Sequence, residues 1–143
     1  MKSLILAAVV ALIPAAAFAC DGAKDLSADS DLHMLTVPQG KQLADAKSAK
    51  FIDANDPGYR EKNGVIPGAT LLTSFSEYDV KELPKAKDAQ LVFYCANEMC
   101  TASHMAARRA MLNGYTKVAV LDSGLSGWKK AGLKTANVKQ PNS

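Results

Sequence analysis

Two cysteines and a histidine, which can take part in sulfur chemistry or bind a soft metal ion, lie close together in the sequence of this 143-residue chain. Cys95 ends the apolar run Leu91–Tyr94, and Cys100 and His104 follow it. A cysteine after a buried strand, before a loop and a helix, lies where α/β folds place reactive groups. N–H groups of the loop and helix end are expected to point at the sulfur and stabilise a thiolate or persulfide. We predict that Cys95 is a nucleophile; the alternative is a buried structural cysteine.

A six-residue polar segment is predicted to surround this sulfur. It consists of Ala96, Asn97, Glu98, Met99, Cys100 and Thr101. A curled loop of this length brings two Cα atoms within the roughly 4.4–6.8 Å that a disulfide needs. Cys100 is therefore a candidate redox partner of Cys95. It would attack a Cys95 persulfide and release sulfide, or resolve a mixed disulfide with a partner protein.

A metal site is a less favoured interpretation of the same residues. Cys95, Cys100 and His104 offer soft thiolates and an imidazole, which suit Cu(I) or Zn. They supply only three ligands at a spacing that is not a standard finger, so no metal and no cofactor are expected.

The elements that position Cys95 alternate along the chain. Strands are predicted at Leu32–Val37, Phe51–Asp53, Leu91–Tyr94 and Lys117–Leu121, and helices from Pro38, at Ser76–Leu83, at Thr101–Asn113 and at Leu125–Lys130. This order predicts an α/β fold with a mostly parallel sheet covered on both faces. The stretch Asp56–Gly58 is expected to be a turn.

Several other side chains are expected to be structural. Asp53 ends a predicted strand and is expected to be structural rather than part of the site. Arg60 and Lys62 are expected to be solvated charges, and Trp128 is expected in the core.

The N-terminus has the composition of an export signal. Lys2 precedes an apolar stretch, and Ala17-Phe18-Ala19 has the small–x–small form of a signal-peptidase site. Residues 1–19 are therefore expected to be a signal peptide, 20–31 a flexible tether, 32–135 the domain and 136–143 a tail. Export to an oxidising periplasm is expected. Cleavage would expose Cys20, a candidate lipid anchor, although Ala17 fits ordinary cleavage better.

Charge and hydropathy exclude two classes of function. The formal net charge is only +3 and the lysines are dispersed, which argues against nucleic-acid binding. The N-terminal apolar stretch is too short for a membrane span and Pro14 interrupts it.

Several stretches in order resemble the rhodanese-like domain family. They are Phe51-Ile52-Asp53, the Gly64-x-Ile66-Pro67-Gly68-Ala69 signature, Leu91–Cys95, Gly114-Tyr115 with Val118, and Gly124–Trp128 followed by Gly132. The resemblance runs from about Leu32 to Leu133 and implies a three-layer domain, here a single exported bacterial one. It implies that Cys95 takes a sulfane sulfur from a donor such as thiosulfate and passes it to a thiophilic acceptor. The loop would be the substrate-binding cradle, and the partner a small sulfur-containing donor or a thiol protein.

Four positions depart from the family pattern. Asn55 stands where Arg is frequent, Val65 where His is frequent, Glu98 where Gly is frequent, and Cys100 where Arg or Thr is frequent. A carboxylate beside the sulfur opposes an anionic donor by like-charge repulsion. A related phosphatase function would need an arginine at the end of a longer loop, whereas Arg108 and Arg109 are predicted to lie two turns into the helix.

Overall fold

The computed structural model describes residues 32–138, which form an α/β domain around a five-stranded sheet. Its elements are β1 (His33–Leu35), α1 (Val37–Asp45), β2 (Lys50–Asp53), α2 (Pro57–Asn63), β3 (Thr70–Leu71), a 3₁₀ helix (Val80–Glu82), β4 (Leu91–Tyr94), α3 (Ala102–Leu112), β5 (Val118–Leu121) and α4 (Gly124–Lys130). The strand order is β1-β5-β4-β2-β3, and every pairing is parallel. The predicted fold class is confirmed.

The central strand β4 is buried on both faces, which explains its uninterrupted apolar sequence. Leu91 and Phe93 face a core cluster that includes the small residues of α3. Val92 and Tyr94 face the other cluster, which includes Trp128 of α4. Helices therefore cover both faces of the sheet, and Trp128 lies in the core as predicted.

The expected turn at Asp56–Gly58 is instead the start of α2. The Asp56 carboxylate accepts a hydrogen bond from the Tyr59 N–H (2.9 Å), and Pro57 occupies the first helical position. An acidic N-cap followed by proline is a helix-start signal, because proline lacks an N–H that would be unpaired there. The composition of Asp56–Gly58 is equally compatible with a turn, because aspartate, proline and glycine are common both in turns and at helix N-termini.

The helix predicted at Ser76–Leu83 is reduced to the 3₁₀ helix Val80–Glu82. The Glu82 carboxylate caps this turn through the Asp79 N–H (2.9 Å) and also accepts hydrogen bonds from the backbone and hydroxyl of Thr73. Tyr78 is fully buried, and its hydroxyl donates to the Ala106 carbonyl at 2.9 Å. These tertiary contacts hold the segment before Val80 in a non-helical conformation, and they outweigh its intrinsic helix propensity.

Helix α3 lies close to its predicted position but is rotated about its axis. Its buried residues are Ser103, Ala106, Ala107 and Ala110. The helical spacing of Ala102, Met105, Ala106 and Leu112 predicts one inner face, with Arg109 as the exception on it, but Leu112 is 62% exposed. Small side chains lie against the sheet because they let the helix backbone approach it closely. Alanine and serine are only weakly hydrophobic, so a hydropathy pattern does not mark them as the buried face.

Several predictions lie outside the described residues. These are the signal peptide (1–19), the tether (20–31), the candidate anchor Cys20 and the last residues of the tail. Ala136, the first residue of the predicted tail, is paired with Val65 through two backbone hydrogen bonds. Within residues 32–138, no helix is long and apolar enough to cross a membrane.

Candidate active site

Cys95 lies immediately after β4, at the carboxyl end of the central strand. Its neighbour β2 continues beside it, because the Ala54 N–H donates to the Tyr94 carbonyl at 2.9 Å. Cys95 is only 1% exposed and packs in the core cluster on the α3 side. The sulfur is therefore enclosed and needs a specific route for its substrate.

The sulfur of Cys95 is held by oxygen atoms. It lies 3.0 Å from the Cys100 carbonyl, to which the thiol donates, and 3.2 Å from the Ser103 hydroxyl. The Asn97 carbonyl is a weaker contact at 4.0 Å. A carbonyl acceptor favours the protonated thiol, because it gives no stabilisation to a thiolate.

The pKa of Cys95 is raised to about 11. The largest cause is burial, followed by a hydrogen bond with the Cys100 thiol. The hydroxyl and the backbone N–H of Ser103 act in the opposite direction and favour the thiolate. At neutral pH the resting site therefore holds a thiol, and Ser103 is the group that would stabilise the anion once it forms.

The expected ring of loop amides around the sulfur is only partly present. The Met99 N–H donates to the Asn97 side chain at 3.0 Å, and the Cys100 N–H donates to the Asn97 carbonyl at 3.1 Å. These two amides close the loop on itself instead of binding the sulfur. Among backbone N–H groups, that of Ser103, in the first turn of α3, is the one that lowers the pKa of Cys95. Ser103 was not among the predicted site residues, because its only signal in the sequence is its place in the first turn of this helix.

The start of α4 supports the loop from behind. The Leu125 N–H donates to the Cys95 carbonyl and the Ser126 N–H to the Ala96 carbonyl, both at 2.9 Å. Gly124 permits this contact, because a Cβ there would lie 2.5 Å from the Cys95 carbonyl oxygen, and its φ is +55°. Gly124 was quoted for the family resemblance, but its contact with the loop was not predicted.

The remaining loop residues divide between the wall and the rim of the site. Ala96, Asn97 and Cys100 are half-buried, whereas Glu98, Met99 and Thr101 are exposed. Met99 is 85% exposed. The structure therefore brings Cys95, Cys100 and Ser103 together at the sulfur and leaves Glu98 at the solvent-facing rim.

Arg60 is buried, so the prediction of a solvated charge at this position is wrong. Its Nε pairs with the Asp53 carboxylate at 3.1 Å, and its terminal nitrogen donates to the carbonyls of Asp53 (3.0 Å) and Leu72 (2.9 Å). This single guanidinium joins α2 to the ends of β2 and β3. Asp53 has the structural role expected of it, and Lys62 is exposed as predicted.

A cavity of about 220 Å³ lies at the carboxyl ends of β2 and β3, beside the loop. It is lined by Ala54, Asn55, Asp56, Pro57, Thr73, Ser74 and Phe75. The β2–β4 register aligns Asp53 with Tyr94, so Asn55 lies one residue beyond the level of Cys95. Within the described part of the chain, the buried Asn55 side-chain nitrogen has no hydrogen-bond partner.

Tyr59 of α2 lies within electrostatic reach of the site. Burial raises its pKa, and the Asp53 carboxylate and both thiols raise it further. A neutral phenol therefore shares the surroundings of the two cysteines.

The described residues do not form the metal site considered above. No three Cys, His, Asp or Glu side chains between residues 32 and 138 are placed to hold a metal ion. The alternative that used Cys95, Cys100 and His104 is therefore not supported. The structure also has Cys95 and Cys100 as free thiols.

This chain belongs to the rhodanese-like domain family. The profile of the Rhodanese-like domain matches residues 36–131, more than half of the chain. A search of the curated proteins found no match.

Solved structures of three other proteins share the fold. A Rhodopseudomonas palustris protein of unknown function, named a possible tyrosine phosphatase, is 29% identical, with a TM-score of 0.61 over 75% of this chain and 86% of that one. A Pseudomonas aeruginosa thiosulfate sulfurtransferase is 22% identical, with a TM-score of 0.65 over 80% of this chain and 22% of that one. The homodimeric polysulfide-sulfur transferase of Wolinella succinogenes is 16% identical, with a TM-score of 0.61 over 80% and 85%.

Proposed function

We propose that this protein is a sulfurtransferase that carries a sulfane sulfur as a persulfide on Cys95. The observation that carries the proposal is the enclosed Cys95 thiol, with the Ser103 hydroxyl 3.2 Å from its sulfur. Membership of the rhodanese-like family supports it. The names of two proteins with the same fold, a thiosulfate sulfurtransferase and a polysulfide-sulfur transferase, agree with it.

The chemistry follows from the contacts of the sulfur. Loss of the thiol proton breaks the hydrogen bond to the Cys100 carbonyl, and Ser103 then donates to the thiolate. The thiolate attacks the outer sulfur of a donor R–S–S⁻, a new S–S bond forms on Cys95, and R–S⁻ leaves with the electron pair. In the second half-reaction, the thiolate of an acceptor attacks the outer sulfur of the Cys95 persulfide, and the Cys95 thiolate leaves.

The charges around the loop favour a donor of low negative charge. Arg60 is occupied by Asp53 and two carbonyls, and Glu98 places a carboxylate at the rim. Asn55, which lines the small cavity at the ends of β2 and β3, carries no charge to attract an anion. We therefore propose that organic persulfides carrying a single net negative charge are better donors than the thiosulfate dianion.

Mass spectrometry of the donor-treated protein tests this function. Incubation of the Cys100→Ser variant with cysteine persulfide should add one sulfur atom to Cys95, located by peptide mapping, and a further Cys95→Ser change should abolish the addition at that peptide. Thiosulfate should label Cys95 more slowly. Absence of the added sulfur after treatment with persulfide, polysulfide and thiosulfate alike would overturn the proposal.

A phosphatase activity has less support, although one similar structure bears that name. Arg109 packs over the Tyr78 ring at 5.3 Å and donates to the Tyr78 carbonyl at 3.1 Å, so this guanidinium binds the 3₁₀ region. Hydrolysis of p-nitrophenyl phosphate above the rate of the Cys95→Ser variant would contradict our interpretation.

We further propose that the protein works after export, in the periplasm. The support is the signal-like sequence of residues 1–19. The mass of the mature protein tests this, since cleavage before Cys20 removes that segment and acylation of Cys20 would add lipid.

A further inference from the structure

We infer that Cys100 completes the reaction by attacking the Cys95 persulfide and releasing its outer sulfur as sulfide. This inference rests on the proposed persulfide. It makes the protein a sulfide-releasing dithiol enzyme, whose external partner is a thiol reductant instead of a sulfur acceptor.

The first support is the way the loop folds back on itself. The Cys100 N–H donates to the Asn97 carbonyl, and the Met99 N–H donates to the Asn97 side chain. This turn brings residue 100 over the strand end, so that its carbonyl lies 3.0 Å from the Cys95 sulfur. Two residues five positions apart are thereby in direct contact.

The second support is the packing of the Cys100 side chain. Cys100 packs against the core cluster that contains Cys95. Cys100 therefore lies on the same side of the sheet as Cys95, whose sulfur becomes the inner sulfur of the persulfide and is the atom attacked when a disulfide forms.

The third support is the difference in exposure. Cys95 is 1% exposed, whereas Cys100 is only half-buried. An external thiol reaches Cys100 more easily than Cys95. A disulfide between them can therefore be opened from the Cys100 side by a reductant too large to reach Cys95.

The step balances without an outside oxidant. Cys100–SH and Cys95–S–SH give the Cys95–Cys100 disulfide and H₂S. The Cys100 sulfur bonds to the inner sulfur, the persulfide bond breaks, and the outer sulfur leaves with its electron pair and takes up the Cys100 proton. The two cysteines are oxidised as the sulfane sulfur is reduced. A dithiol reductant then restores both thiols and becomes a disulfide.

A single-turnover experiment tests the inference. Full-length protein carrying Cys20→Ser is loaded with glutathione persulfide, freed of excess donor and left without reductant. It should release sulfide in an amount equal to the loaded persulfide and form the Cys95–Cys100 disulfide, seen as a loss of two hydrogens by mass. Adding Cys100→Ser should preserve the persulfide and slow sulfide release at least about tenfold.

Two controls separate the possible results. Cys100→Ala tests whether the serine hydroxyl itself matters, and Met105→Leu changes an exposed residue of α3 outside the loop and should behave as the parent. Equal sulfide release with and without the Cys100 thiol would overturn this inference and leave the proposed function intact. Failure of both proteins to form a persulfide would overturn the proposed function. Persulfide loss from the parent without a disulfide product would also contradict the role of Cys100.

Discussion

At the scale of single residues, the site combines a buried thiol with groups that act on it in opposite directions. Carbonyl oxygens of the loop favour the protonated form of Cys95, whereas the Ser103 hydroxyl and N–H favour the anion. The nucleophilic reactivity of Cys95 is therefore low in the resting site and rises only when its thiol proton is removed. A protected thiol suits an oxidising compartment, where an exposed thiolate is readily oxidised.

Cys95 should ionise late in a pH titration. The thiolate absorbance lost on Cys95→Ala, measured as a difference spectrum in the Cys20→Ser background, should have a midpoint near pH 11. The fraction of thiolate should rise about tenfold for each pH unit below that midpoint. Ser103→Ala should move the midpoint higher, because it removes a donor to the anion. A midpoint at or below the ordinary value of 9.0 would contradict the carbonyl-held thiol.

At the scale of elements, two short helices support the ends of the strands. Helix α4 begins at Gly124 and binds the carbonyls of the active-site loop through its first amides. Helix α2 is tied to β2 and β3 through Arg60. Helix α4 thus supports the loop and α2 supports the neighbouring strand ends, through contacts that involve no catalytic chemistry.

Gly124→Ala should damage the loop more than a comparable change elsewhere. The new Cβ would lie 2.5 Å from the Cys95 carbonyl oxygen, so the helix start or the loop must move, with a cost of about 1–3 kcal/mol beyond that of the positive φ. Gly132→Ala is the matched control, because its φ is +74° and nothing lies within 4 Å of its Cβ position. Urea unfolding and persulfide loading of both variants make the comparison. Equal losses would mean that only the backbone angle matters.

Arg60→Ala should strongly destabilise the domain. It leaves the Asp53 carboxylate, which is 0% exposed, without its cation and leaves two carbonyls without their donor. Removing one partner of a buried ion pair typically costs about 3–5 kcal/mol. Lys62→Ala, two residues along the same helix and exposed, should change the free energy of unfolding by less than about 0.5 kcal/mol. A similar result for both variants would refute the role assigned to Arg60.

At the scale of the whole molecule, a parallel sheet buried on both faces holds several titratable groups out of water. Burial is the largest cause of the raised pKa of Tyr78, of Tyr94 and of Cys95, and the Asp53 carboxylate raises that of Tyr94 further. Each of these groups is neutral in the folded domain. Each ionises more easily in the unfolded chain, where it is solvated.

Stability should therefore fall in alkaline solution. Groups whose pKa is raised by folding contribute stability below their unfolded pKa, about 8.5 for Cys and 10 for Tyr, and lose it as the pH rises toward the folded value. The free energy of unfolding should decrease from pH 8 toward pH 11, measured through the fluorescence of Trp128, the single tryptophan. Tyr78→Phe should reduce this alkaline loss while lowering stability at neutral pH, because the hydrogen bond to Ala106 is lost. A flat profile would contradict the burial argument.

Prediction from sequence succeeded where the signal is local. The apolar run of β4, the cysteine after it and the helix that follows are written in consecutive residues, and their positions changed by only a residue or two. It was less accurate for α3, whose buried face is alanine and serine, because small residues give a weak periodic signal. It failed for Arg60, because nothing in the composition of α2 indicates a buried carboxylate on another element.

The sequence by itself determined the alternation of strands and helices and the place of Cys95 at the end of the central strand. These follow from side-chain periodicity and turn residues, which act over a few positions of the chain. Only the tertiary structure decided what surrounds the sulfur: the Cys100 carbonyl and thiol, the Ser103 hydroxyl, and the start of α4 behind the loop. Those contacts depend on how the loop curls and how separate elements pack, and they set the protonation of Cys95 and bring residue 100 against its sulfur.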